Sequence, residues 1–143
     1  IKKIYTLLIG ILIISFIGCE FSDKISNDLP DIIITNEEDL KAISGRESIT
    51  GNITIHYTDL KNLDDLRSLT YLKGHLSIYS NKSLANLNGL QNLKNISRSL
   101  LIADNDSLVN LSGLDNLTII GEHLSIYGNE YLENLSELND SNI

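Results

Sequence analysis

The chain has 143 residues, of which 42% are hydrophobic and 21% charged, a balance that fits one folded domain and excludes a chain disordered along most of its length. There are 11 Lys and Arg against 19 Asp and Glu, a formal charge of -8, and that field repels phosphate backbones and argues against nucleic-acid binding. The single cysteine excludes an intramolecular disulfide, a CxxC zinc site and an iron–sulfur site.

The first element is an export signal. Lys2 and Lys3 precede an apolar run from Ile4 to Gly18, the order of charge, apolar stretch and small residue that marks a signal peptide over 1–18. The run is shorter than the roughly 20 apolar residues of a permanent span. It ends in Phe16-Ile17-Gly18-Cys19, which resembles a bacterial lipobox, with Phe16 standing where Leu is usual. The resemblance implies that Cys19 receives lipid and becomes the new N-terminus; an uncleaved anchor helix or a buried core cysteine are the plainer alternatives. Acyl chains hold a protein on a membrane rather than through it, so the expected location is a bacterial outer membrane or cell surface. Residues 19–30 are polar, weakly patterned and closed by Pro30, the only proline, and read as a flexible tether. The absence of Met at position 1 points to a fragment or an unusual start.

Next comes a cap over 31–51. Ile32-Ile33-Ile34-Thr35 reads as a strand. The stretch from Asn36 to Ile43 reads as a short helix, with acids in its first turn and Gly45 beyond its end.

Residues 52–143 are a repeat. Leu60, Leu84, Leu108 and Leu132 stand 24 apart, and so do the columns headed by Asn62, Leu63 and Leu66. Leu76-x-Ile78, Leu100-x-Ile102 and Leu124-x-Ile126 recur at the same interval, and Ile53-x-Ile55 precedes them by 23. The first part of each unit alternates, the period of a strand with one face buried. The second part, Leu84, Leu87, Leu90, Leu93 and Ile96, is apolar at every third position. Steps of three drift by about 60° each around an α-helix, so a long helix fits poorly and short 3₁₀ turns and extended pieces fit well. The sequence therefore predicts a mainly β fold, a parallel β-solenoid of about four coils of 23–24 residues. One coil cannot bury its own leucines, but stacked coils can, at about 1.5–3 kcal/mol gross per buried side chain.

Asn81, Asn105 and Asn129 form a column where each strand ends, with Thr58 or Tyr57 taking its place in the first unit. Asn62, Asn86, Asn110 and Asn134 form a second. Both are read as structural ladders that satisfy turn backbones, with a polar ligand-binding ridge as the alternative.

Gly51-Asn52-Ile53-Thr54-Ile55, Gly74-His75-Leu76-Ser77-Ile78 and Gly121-Glu122-His123-Leu124-Ser125-Ile126, set in the pattern G-x-L-x-I-x-x-N-x-x-L-x-x-L, resemble receptor L-domains, relatives of the leucine-rich repeats carried by bacterial surface lipoproteins. The third unit, Ser97-Arg98-Ser99-Leu100-Leu101-Ile102, lacks the glycine. The resemblance covers about residues 31–139. It implies a right-handed β-solenoid used for binding or adhesion, with no shared catalytic set and with ligands that vary.

Chemistry-bearing motifs are few. His75 and His123 share a column two coils apart, about 9–10 Å, too far for one zinc ion; His56 sits in another. Asp104-Asn105-Asp106 has part of a calcium-loop spelling without the spaced acids and terminal Glu of an EF-hand. Neither Asp64-Asp65 nor Glu37-Glu38 has a recognisable apolar cleft, so both read as solvated charge. No nucleophile elbow or phosphate loop occurs, and no metal or cofactor is expected. Tripeptides such as Asn110-Leu111-Ser112 follow from the repeat and, beside a bacterial-type signal, are not read as glycosylation sites.

The binding candidates lie on the outward rows of the strands. Alternation places Thr54, Ser77, Leu101 and Ser125 on one row and His56, Tyr79, Ala103 and Tyr127 on the next. Two tyrosines bracketing Ala103, with Leu101 beside them, make a shallow aromatic patch suited to a glycan or a protein; ordinary cross-strand packing explains the same residues. The functional expectation is a non-catalytic, lipid-anchored surface protein that binds protein or carbohydrate. A structural spacer of the cell envelope without its own ligand is the alternative, and a hydrolytic enzyme a remoter one. Beyond Leu138 only residues 139–143 remain, without a cap sequence, so the last coil is expected to expose an apolar edge open to self-association.

Overall fold

The computed structural model describes residues 31–138. The expected signal at 1–18, the lipidation site Cys19, the tether to residue 30 and the end at 139–143 lie outside the described residues. Two parallel sheets run the length of the stack. The larger has the order β1 (Ile32–Ile34), β3 (Ile53–His56), β5 (Leu76–Tyr79), β7 (Leu100–Ala103), β9 (Leu124–Tyr127). The smaller has the order β2 (Ser48–Ile49), β4 (Tyr71–Leu72), β6 (Asn95–Ile96), β8 (Ile119–Ile120). Each of the first four coils contributes one strand to each sheet, and β9 joins the larger sheet alone among the described residues, which makes the fold a β-solenoid of about four turns.

Register follows the repeat. Ile53 pairs with Leu76, Leu76 with Leu100 and Leu100 with Leu124. A slip of one residue would turn these aliphatics outward, and all but Leu124 of this row are fully buried. The extended pieces expected in the second part of each unit pair into the smaller sheet. Its strands are two residues long, yet Tyr71 pairs with Asn95 and Leu72 with Ile96, because the buried Ile49, Leu72 and Ile96 need the same coil spacing as the larger sheet.

Between the sheets the chain steps in threes. Leu66 N–H donates to Leu63 O at 2.8 Å and Leu69 N–H to Leu66 O at 2.8 Å; Leu90 and Leu93 repeat this on Leu87 and Leu90 at 3.1 and 2.9 Å, and Leu114 and Leu117 on Leu111 and Leu114 at 3.0 Å each. Bonds from residue i to i−3 are those of 3₁₀ structure, which sets side chains three apart above one another. Among the described residues only Asp64–Leu66 completes a 3₁₀ helix. Gly89 and Gly113 sit in these corners with φ of +115° and +111°, and a Cβ on either would run into the backbone carbonyl of Leu63 or Leu87 in the coil before. Glycine is required there by both torsion and proximity.

The cap enters the stack as a modified coil: β1 joins the larger sheet, β2 the smaller, and helix α1 (Glu37–Lys41) replaces the leucine corners between them. Asn36 is its N-cap, with Oδ1 accepting from Glu38 N and Asp39 N at 2.9 and 3.0 Å. Its inward residue, Leu40, is 2% exposed. At the other end Leu124, Ile126 and Leu132 are only partly buried and Leu135 is 46% exposed, whereas Leu87 and Leu111 of the same column are at 0%.

Candidate functional site

The asparagine column that follows the larger sheet faces inward. Asn81 Nδ2 donates to Ile55 O at 3.0 Å and to Asn105 Oδ1 at 3.0 Å, and Asn81 N–H reaches the same oxygen at 3.1 Å. Asn105 repeats the set on Ile78 O and Asn129 Oδ1, and Asn129 Nδ2 donates to Ile102 O. Thr58 begins the ladder through Oγ1 to Asn81 Oδ1 at 2.8 Å. Asn81 and Asn105 have no exposed surface, so neither touches a ligand, and Asn105 is withdrawn from any calcium loop with Asp104 and Asp106.

The second column departs from the expectation of a ladder. Asn62, Asn86, Asn110 and Asn134 do not bond one another. Each Oδ1 accepts from the backbone N–H two residues on, at 3.0–3.1 Å, in Asp64, Asn88, Ser112 and Ser136. These are Asx turns. The side chain closes its own corner, where the main chain bends too sharply to satisfy that N–H itself.

On the outward rows His56 pairs with Tyr79, Tyr79 with Ala103, and Ala103 with Tyr127, while Leu101 lies between Ser77 and Ser125. The side chains do not make one patch. Ala103 is 1% exposed, because its methyl is much shorter than the tyrosines on either side and sinks between them. It therefore offers no contact surface, and Tyr127, 59% exposed, stands apart beyond it. Leu101 is half-buried on the neighbouring row.

What does assemble is an aromatic cluster at the cap end. The His56 ring lies 5.1 Å from that of Tyr79 and 5.1 Å from that of Tyr57, and Tyr57 meets Tyr79 edge-on at 6.1 Å. These separations are those of favourable aromatic pairs. His56 is half-buried, and its Nδ1 has no hydrogen-bond partner. Tyr57 is the residue that sequence reasoning missed. It has φ of 52° in the left-handed region, a conformation shared by Ser80, Asp104 and Gly128 at the same turn of later coils. An aromatic residue is a poor occupant of that turn, and a column reading Tyr, Ser, Asp, Gly was the available signal.

Beside Tyr57 a cleft of about 480 Å³ opens between α1 and the first corner. Leu40 and Leu60 give it apolar surface, and Asp59, Lys61 and Asp65 line it with charge. None of these three charged side chains makes a hydrogen bond or ion pair with the described residues. Of the other histidines, His75 accepts from Ser99 N at 3.2 Å through Nδ1, and His123 is exposed. Among the described residues no group of three or more His, Cys, Asp or Glu is placed to hold a metal ion, and no helix is long and apolar enough to cross a membrane.

Comparison with protein families finds one that fits this architecture: the family model described as Receptor L domain matches residues 19–108 and again 70–143. No curated protein matches, and no solved structure does.

Proposed function

The chain belongs to the receptor L domain family, a family of non-enzymatic binding domains, and on that premise we propose that it is a lipid-anchored cell-surface protein that binds a protein or carbohydrate ligand at the cap end of its larger sheet. The observation that carries this reading is the triad of His56, Tyr57 and Tyr79, whose rings touch one another on an outward face. Aromatic side chains supply much contact area for little loss of rotamer freedom, and these three are fixed by their neighbours before a ligand arrives. The solenoid supplies a rigid platform under them, since their strands are paired residue by residue with the next coil.

Anchoring rests on the sequence alone. Lys2 and Lys3, the apolar run and Cys19 at its end support export followed by acylation, which leaves the repeat stack outside the membrane on a short tether. Two measurements test the proposal. Labelling cells with a clickable fatty acid should mark the parent chain and not Cys19→Ser; equal labelling removes the anchor. Capture of glycans or surface proteins by the purified chain should weaken for Tyr79→Ala at a temperature where the variant is still fully folded. Unchanged capture removes the aromatic face and leaves an envelope spacer as the better description.

A further inference from the structure

Deepening the binding reading above, and resting on its claim that the domain takes a ligand, we infer that the cleft between α1 and the first corner is a glycan site selective for neutral sugars. Its volume of about 480 Å³ lies within the range of roughly 300–1,000 Å³ typical of ligand pockets. Three features on its wall combine as sugar sites require. Tyr57, a residue 73% exposed, presents a ring held from behind by those of His56 and Tyr79 at 5.1 and 6.1 Å, and an aromatic face takes the C–H side of a pyranose. Leu40 and Leu60 extend that apolar surface. Asp59, Asp65 and Lys61 supply two acceptors and one donor that no described residue engages, the complement for a polyol that both donates and accepts.

Charge narrows the class. Glu37, Asp59 and Asp65 outnumber Lys61 in the lining, so sialylated and sulfated glycans are repelled. The same excess of carboxylates attracts a basic peptide, which is the competing occupant and is carried through the test as oligolysine. The exposed Tyr57 and the apolar Leu40 and Leu60 in the lining favour the C–H face of a sugar over a lysine-rich chain.

The full-length chain is tested against an array of neutral, sialylated and sulfated oligosaccharides with oligolysine alongside, and the best neutral oligosaccharide is then titrated into variants. The expected result is retention of neutral oligosaccharides only, with affinity falling about tenfold for Tyr57→Asn and for Asp59→Asn while thermal unfolding stays close to the parent temperature. Lys61→Met is expected to weaken the neutral sugar without admitting sulfated ones. If affinity survives Asp59→Asn and Lys61→Met but falls with Tyr79→Ala, the cleft is overturned while the sheet-face reading stands. Retention of oligolysine alone, or of no oligosaccharide, also overturns it.

Discussion

The side chain of Asn81 donates to Ile55 O in the coil before its own and to Asn105 Oδ1 in the coil after, each at 3.0 Å. One buried amide thus ties three successive coils, and Asn105 does the same one step on. Removing Asn105 strands several groups at once: Ile78 O loses its side-chain donor, Asn81 N–H loses its acceptor, and Asn81 Nδ2 loses one of its two. A buried polar group left unpaired costs about 1–3 kcal/mol. Asn105→Ala should therefore destabilise the fold by about 3 kcal/mol or more in urea titrations, and a loss below about 1 kcal/mol would show that water enters the ladder and replaces the amide.

The second asparagine column gives the contrasting case. Asn86 Oδ1 holds only Asn88 N–H, within its own coil and half-exposed. Water can take over that bond, so Asn86→Ala should cost no more than about 1 kcal/mol. The ratio of the two asparagine variants, measured in one titration series, reports whether a column links coils or closes a turn.

That distinction marks how far the sequence could be read. The spacing of Leu84, Leu87, Leu90 and Leu93 dictates the 3₁₀ corners because a three-residue step has few structural solutions, and the alternation of Ile53 and Ile55 dictates the larger sheet. The two asparagine columns look alike as text, since both repeat at 24 residues; only the direction of the side chain separates a ladder from an Asx turn. The smaller sheet was hidden because two residues are too few to show a period. The aromatic row was legible as a register, but side-chain length decided the outcome: Ala103 sank between its neighbours and left Tyr127 alone. The cleft depends on how α1 meets the first corner, a contact between segments that no spacing within the repeat encodes.

Gly89 measures how tightly the corners stack. Its φ of +115° disfavours any L side chain, and an added Cβ would overlap the Leu63 carbonyl and reach Asp64 N at 2.7 Å. Backbone cannot yield as a flexible side chain can. Strain of about 1–3 kcal/mol combines with displacement of the neighbouring coil, so Gly89→Ala should lower the midpoint of thermal unfolding by more than Asn86→Ala does. A variant as stable as the parent would mean that adjacent coils can slide apart at this corner.

The core should soften toward the end of the stack. Leu87 is fully buried, whereas Leu135, two coils on in the same column, is 46% exposed. Leu87→Ala should cost about 2–5 kcal/mol through lost burial and the cavity left behind. Leu135→Ala should cost under about 1 kcal/mol, since surrounding side chains and water can occupy the space. Equal losses, read from paired denaturant midpoints, would show that Leu135 is covered in solution.

Tyr57 separates binding from folding. Its left-handed backbone, φ 52°, costs an aromatic residue roughly 1–2 kcal/mol relative to residues that tolerate this turn. Its ring contacts with His56 and Tyr79 return about 0.5–1.5 kcal/mol each, and 73% of the residue stays exposed, so little burial is at stake. The terms nearly cancel. Tyr57→Asn, which fits the turn, should leave stability within about 1 kcal/mol of the parent while ligand affinity falls. A large drop in stability would mean that the ring serves the fold and not a ligand.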